Sequence, residues 1–275
     1  MIGRRWLVRS LGALLVAASL LPGGAIGQDA TKFRVCADPD NLPFSNQQQQ
    51  GFENKIAELM AQDLGAPLSY YWWPHQRGLV RNTLRADQCD VLIGIPKGYD
   101  PVLWTKPYYR SSYVIASLKD RGRIATLDAP ELKKLRVGIH SNTPPEEALA
   151  RRGILDNVVG YSLFYDARDP ASDRPSKLVT DLVQGTVDVA IAWGPLVGYY
   201  AKKLNVPLEL TPLTSEPGLP LAFDISMGVK KGDQALKARL ESALDRHQAD
   251  IRKILEDYGV PVLPVEPAGT KGPGG

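Results

Sequence analysis

The sequence predicts an α/β protein of two lobes, each built from βαβ units, joined by a hinge of two strands. Three observations carry this expectation. A strand, loop and helix unit opens at Phe33, strand–helix alternation restarts at Leu135, and a β-prone stretch at Phe223 returns the chain to its first half.

The opening unit is the best defined. Phe33 to Ala37 is a short β-prone run that ends in Asp38-Pro39-Asp40-Asn41-Leu42-Pro43-Phe44, where two prolines and three cap-type residues stop both ladder and helix. From Phe52 the apolar residues Ile56, Leu59, Met60 and Leu64 follow at the offsets of one helical face, and Gly65 closes it. Leu68 to Trp73 is an aromatic strand, Gly78 to Ala86 a short helix, and Asp90 to Ile95 a continuous apolar run suited to a buried parallel strand. Right-handed crossovers then stack helices on both faces of the sheet, and the loops at Asp38 and Pro96 share its carboxyl edge. Ser112 to Ser117 carries the chain into a second lobe.

There Leu135 to Ile139 is a strand, and Thr143-Pro144-Pro145-Glu146 reads as a capping box with proline at the first helical position; Gly153 stops that helix. Val158 to Phe164 and Val187 to Ala192 are strands, with a helix from Pro175 to Gln184 between them. Crossings near Tyr113 to Ala116 and Phe223 to Met227 make an antiparallel hinge. Asp233 to His247 and Ala249 to Tyr258 are amphipathic helices.

The ends set the compartment. Arg4, Arg5 and Arg9, an apolar run and a small-residue segment ending at Gly27 make residues 1–27 a signal peptide for the general secretory route or, through Arg4-Arg5, the twin-arginine route, so no membrane insertion is expected after cleavage and the periplasm is the expected location. The formal net charge is +3, and removing those three arginines leaves none, so nothing argues for a nucleic acid partner. The expected lobes are 28–117 with 224–266, and 118–223; residues 267–275 have the composition of a disordered tail.

An oxidising compartment favours a disulfide between the two cysteines, Cys36 and Cys89. Parallel neighbouring strands would put Cys36 near one exit and Cys89 at the other's entrance, beyond the roughly 7 Å bridging limit. An intramolecular bond is expected, and with it a strand register different by several residues. His75, His140 and His247 have no ligand spacing, and no nucleophile elbow, phosphate loop or acid–base pair is present, so neither metal, cofactor nor catalysis is expected. Asp38 and Asp40 beside Pro39 read as turn and cap formers.

The stretches RVCADPDNLPFSN, GFENKIAELMAQDLG, YYWWPHQRGLVRNTLRADQCDVLIGIP and TKPYYRSSYVI resemble the type II periplasmic solute-binding proteins. They are similar in particular to the branch found beside PQQ-dependent methanol dehydrogenases, the J-type proteins of the methanol oxidation system. The resemblance implies the bilobal fold and a PQQ-dependent methanol dehydrogenase as partner, in whose maturation or activation a non-enzymatic protein would assist. An ABC-transporter receptor for a small uncharged or aromatic solute is the alternative. Amino-acid-binding members hold the ligand with an arginine after the third strand and an aspartate after the VDVAIA-type strand; here those places read GIPKGYDPVLW and Trp193-Gly194. An amino acid headgroup would lose its hydration there without compensation.

Apolar and aromatic residues stand instead. The expected cleft or partner-binding residues are Asp38, Leu42, Pro43, Phe44, Trp73, Arg77, Pro96, Tyr99, Tyr109, Asn142, Thr143 and Trp193, with a small apolar ligand as a further occupant. Tyr70, Trp72 and Tyr113 read as core filling.

Overall fold

The computed structural model describes residues 32–264 except 167, 168, 170, 171 and 173, so the expected signal peptide and tail lie outside the described residues. In chain order the elements are β1 (Phe33–Ala37), β2 (Asp40–Asn41), β3 (Ser45–Asn46), α1 (Phe52–Asp63), β4 (Leu68–Trp72), α2 (Leu79–Asn82), β5 (Val91–Pro96), β6 (Leu103–Trp104), β7 (Tyr109–Leu118), β8 (Val137–His140), α3 (Pro144–Arg151), β9 (Val158–Tyr161), α4 (Lys177–Val183), β10 (Val189–Trp193), α5 (Gly194–Lys203), β11 (Leu208–Leu213), β12 (Ala222–Val229), α6 (Gln234–Arg246) and α7 (Gln248–Asp257).

The hydrogen-bonded path runs β4-β1-β5-β12-β7-β10-β8-β9, with β6 on β12 and β11 on β7. β4, β1 and β5 are parallel, as are β10, β8 and β9, while β12 joins β5 and β7 antiparallel. One long strand serves both ladders. Tyr109 to Ser112 of β7 pairs with β12, and Tyr113 to Leu118 pairs with β10 and β11. The two sheets therefore share a continuous path through β7 rather than standing apart. The antiparallel crossing falls at Tyr109–Ser112 against Ala222–Ile225, earlier on β7 than the expected Tyr113 to Ala116, because that stretch already belongs to the second ladder. At the crossing Arg110 is opposite Asp224 and pairs with it at 3.0 Å, both side chains largely covered.

Alternation along the strands puts apolar side chains on both sides of each sheet. In β5, Val91 and Ile93 join the core formed with α1, α6 and α7, whereas Leu92 and Ile95 face Val80 of α2 and Leu84. In β10, Val189 and Ile191 pack with Ala148 and Leu149 of α3, and Ala190 and Ala192 with Leu178, Val179 and Leu182 of α4. Phe52 is fully buried at the start of α1, edge-on to Phe44, Tyr109 and Tyr258 at centroid distances of 5.4, 6.3 and 6.0 Å.

Several local expectations change. The helix expected over Gly78 to Ala86 shortens to α2, followed by turns that carry the chain across the sheet face. The Thr143 side chain forms no helix cap: its hydroxyl donates to the His140 carbonyl at 2.6 Å, and the Glu146 carboxylate takes the Asn142 N–H instead. α5 and β11 had no counterpart in the sequence reading.

Cys36 and Cys89 are disulfide-bonded, with Cα atoms 5.5 Å apart. The parallel register is nevertheless the one that had argued against the bond, with Val35 opposite Val91 and Cys36 opposite Leu92. No register shift is needed, because Cys89 precedes β5 and lies with Cys36 in the small core beside Val80 and Leu84. The turns after α2 deliver it there.

Candidate functional site

A cavity of about 380 Å³ opens where the two ladders meet. From the first half of the chain come Phe44 after β2, Glu53 in the first turn of α1, His75 after β4, Gly94 and Pro96 of β5, and Tyr109 and Tyr113 of β7. From the second come His140 at the end of β8, Leu163 and Phe164 after β9, Pro175, Trp193 at the end of β10 and Leu196 of α5; Phe223 and Ile225 of β12 complete the wall. Carboxyl ends of parallel strands from both ladders thus converge on it, as open α/β sheets place their ligand sites.

The walls are aromatic. Trp193, Tyr113 and Phe223 form a triad with centroids 5.5, 5.7 and 6.5 Å apart, all edge-to-face. Phe44 faces the same space with its back on Phe52. Among the described residues no Lys or Arg lines the cavity.

Besides Tyr109 and Tyr113, three titratable groups line it. Glu53 is 6% exposed, and no hydrogen bond to its carboxyl forms among the described residues. Burial, with Asp38 adding to it, pushes this carboxyl well above the usual carboxylate range. Gly94 makes room for it: φ there is +78°, and a Cβ would fall 1.8 Å from Glu53 Oε1. His75 donates its backbone N–H to Asp38 Oδ2 at 2.7 Å, while its Nε2 is buried without a partner. Burial lowers its pKa, opposed by Asp38, so the ring favours the neutral form. His140 Nε2 lies 2.9 Å from the Pro175 carbonyl; since a carbonyl only accepts, that nitrogen carries the hydrogen. Burial lowers this imidazole too.

Asp38 stands beside the cavity as a junction. Its Oδ1 accepts the Asp40 N–H at 3.0 Å and lies 2.9 Å from the Tyr165 hydroxyl, which also contacts the Asp40 carbonyl oxygen. Arg174 pairs with Asp40 Oδ2 at 2.9 Å and covers the Tyr165 ring at 4.6 Å. Tyr165 and Arg174 lie between β9 and α4, so these two residues strap the second ladder's side of the cavity to the loop after β1. Burial, followed by Asp38, pushes the Tyr165 hydroxyl far up, so it stays a neutral donor. Tyr165→Phe combined with Arg174→Ala is expected to raise the small-angle scattering radius of gyration and to speed amide exchange near Asp38 and Asp40. High salt alone should reproduce only the part carried by Arg174; an unchanged radius and unchanged exchange in the double variant would leave the strap no closing role.

Of the residues expected at the cleft, Phe44, Pro96, Tyr109 and Trp193 line the cavity, and Asp38 lies next to it. Leu42, Pro43, Trp73, Arg77, Tyr99, Asn142 and Thr143 are not in its lining. Trp73 stacks on Tyr71 at 6.4 Å, Tyr99 is 39% exposed beyond β5, and Thr143 is tied to His140. Tyr113, read as core filling, is a wall residue. Glu53 was not singled out, and His75 and His140 were weighed only as metal ligands; a glutamate two residues after Gly51, at the foot of an apolar helix, was the available signal for Glu53.

With this geometry the similarities to known proteins can be placed. The pattern of the bacterial extracellular solute-binding proteins, family 3, matches residues 33–261. The chain belongs to that family. Protein MoxJ of Paracoccus denitrificans is 33% identical over 90% of this chain and 95% of its own length. Among solved structures of similar proteins, periplasmic binding protein XoxJ from Methylobacterium extorquens AM1 is 37% identical with a TM-score of 0.72, covering 85% of this chain and 100% of that one. MxaJ from Methlophaga aminisulfidivorans MPT is 30% identical with a TM-score of 0.75, over 84% and 100%. This solute-binding protein therefore has the bilobal α/β fold of periplasmic binding proteins and is similar to MoxJ over nearly its whole length. No helix among its described residues is long and apolar enough to cross a membrane.

Proposed function

We propose that this solute-binding protein is a non-catalytic periplasmic partner of a PQQ-dependent methanol or alcohol dehydrogenase, assisting its maturation or activation by binding it. The observation that carries this reading is an interlobe cavity walled by Phe44, Tyr109, Tyr113, Trp193 and Phe223 with no Lys or Arg among its described lining residues. A zwitterionic amino acid would leave its carboxylate buried without a counter-charge, a cost of several kcal/mol. Similarity to MoxJ over most of both chains points the same way, since the resemblance read from the sequence is to the J-type proteins of methanol oxidation. The lobes in this reading are 28–117 with 224–266, and 118–223, moving about β7 and β12 after export and removal of residues 1–27.

The receptor alternative, a transporter's binding protein for a small uncharged or aromatic solute, draws on the enclosed volume of the same cavity. The two separate in a binding experiment with purified PQQ-dependent methanol dehydrogenase. Saturable association, and faster recovery of activity by the apo-dehydrogenase when this protein is present, is expected. Absence of both would refute the partner role.

A further inference from the structure

We infer that the outer side of the coil around α2, which carries Arg77, Arg81 and Arg85, is a docking surface for an acidic protein: a partner that presents clustered Asp and Glu side chains. This surface lies outside the interlobe cavity, and the inference does not depend on the partner role above.

Arginine is otherwise well partnered in this chain. Among the described residues, every arginine except Arg77, Arg81, Arg85 and Arg252 donates a side-chain hydrogen bond to a carboxylate, hydroxyl or carbonyl oxygen. Three of those four stand at four-residue intervals on one coil, and all three are exposed. Hydrogen bonds hold the coil: the N–H groups of Leu79, Asn82 and Arg85 donate to the carbonyls of Gln76, Gly78 and Val80 at 3.1, 3.0 and 2.9 Å. Val80 and Leu84 turn inward to the small core beside Cys36, Cys89 and Leu92, which leaves the arginines toward solvent. The Arg81 guanidinium folds back over the start of α2, its Nη2 lying 3.3 Å from where a Cβ on Gly78 would fall, next to Arg77 in the chain. The acids nearest in sequence are engaged elsewhere, Asp87 with Lys230 at 2.6 Å and Asp90 with Arg34 at 2.5 Å.

Such a row is unfavourable by itself. Like charges one helical turn apart repel, and residues 76–86 contain no carboxylate to offset them. Charge kept on a surface at a cost to folding marks a binding face, since groups that serve recognition are often not those that serve stability. Arginine suits a carboxylate in particular, because its planar fork gives two parallel bonds to one acid. The coil is pinned by β4 before it and by the Cys36–Cys89 disulfide after it, so the guanidiniums ride on a fixed base and less freedom is lost on docking. Tyr71 packs against the same small core and stacks on Trp73 with ring planes 8° apart, which sets flat aromatic surface beside the arginines, the mixture that protein interfaces use. No large apolar side chain is exposed in the coil, so nothing there would enter a bilayer, and a protein is favoured over a lipid surface.

The test is titration of the secreted, full-length mature protein, labelled with nitrogen-15, with a hexaglutamate peptide, its hexaglutamine counterpart and phosphatidylglycerol vesicles, at low and at high salt. Hexaglutamate should shift the amide signals of residues 76–88 and the side-chain Nε–H signals of the three arginines, and should bind at least tenfold more weakly at high salt, while hexaglutamine gives no binding. The triple variant Arg77→Gln, Arg81→Gln, Arg85→Gln should lose at least tenfold in affinity for hexaglutamate and melt no lower than the parent. Arg252→Gln, which removes the remaining unpaired arginine, should bind the peptide as the parent does. No binding of hexaglutamate by the parent, shifts centred on another part of the surface, or a triple variant that binds equally well overturns the inference. A parent that ignores the peptide but binds the vesicles through these arginines would assign the face to a lipid surface instead. Should the triple variant not fold, the map of shifts in the parent still decides. Dehydrogenase association is measured separately, so either proposal can fail while the other stands.

Discussion

Replacing Cys36 and Cys89 together by serine is expected to lower the unfolding free energy by about 4 kcal/mol. The bond closes a loop of 53 residues, and the chain-entropy relation for a loop of that length gives this magnitude. Both cysteines are also nearly inaccessible, at 2% and 3% exposure, within a core that includes Val80, Leu84, Leu92 and Val102. Serine hydroxyls there would need partners that these apolar neighbours do not offer. Urea unfolding of the parent, the double variant and the reduced parent measures the effect. Reduction should account for most of it, and a change under about 1 kcal/mol would mean that the loop 37–88 is already ordered in the unfolded chain.

Phe52→Ala should cost about 3–5 kcal/mol, the range for removing a buried phenylalanine with incomplete collapse of the cavity left behind. Phe52 has no exposed surface and is the ring on which Phe44, Tyr109 and Tyr258 all pack edge-on. Its loss would release the back of Phe44 and Tyr109, both cavity wall residues, so stability and ligand recognition should fall together. Tyr99→Ala, 39% exposed, serves as the contrast and should stay within about 0.5 kcal/mol of the parent. A Phe52 variant as stable as that control would show that the α1 core had repacked.

Much of this fold was legible because its strands and helices announce their buried faces. The run from Val91 to Ile95 and the alternation from Val189 to Ala192 identify strands covered on both sides, and Ile56, Met60, Leu240 and Leu244 identify inward helical faces. α5 and β11 were missed for a local reason. Gly194-Pro195 looks like an interruption after a strand, yet proline in the first turn is compatible with helix initiation, and α5 begins there. The disulfide depended on how the turns after α2 bring Cys89 over the sheet face, a path that strand register alone does not describe.

The site divides along the same line. Strand ends carried Phe44, Pro96, Tyr109 and Trp193 into the expected region, because strand order decides which ends share an edge. Tyr113 appeared to be filler because it sits inside β7, but it falls where that strand leaves one ladder for the other and its side chain meets the gap. The sequence neighbours of Glu53 mark only the foot of an apolar helix; its place in the site comes from Gly94 across the sheet and from the lack of any Lys or Arg among the described cavity lining.

Phe44 packs on Phe52, so truncating it mixes stability with recognition, whereas Trp193 contacts only the wall residues Tyr113 and Phe223 among the aromatic pairs it forms. Trp193→Ala is therefore the cleaner probe of the partner reading. Titration of the PQQ-dependent methanol dehydrogenase with the parent protein and with Trp193→Ala should show saturable association for the parent and at least tenfold weaker association for the variant, about 1.4 kcal/mol. Equal affinity of the two, with circular dichroism confirming that the variant is folded, would contradict a dehydrogenase contact through this cavity.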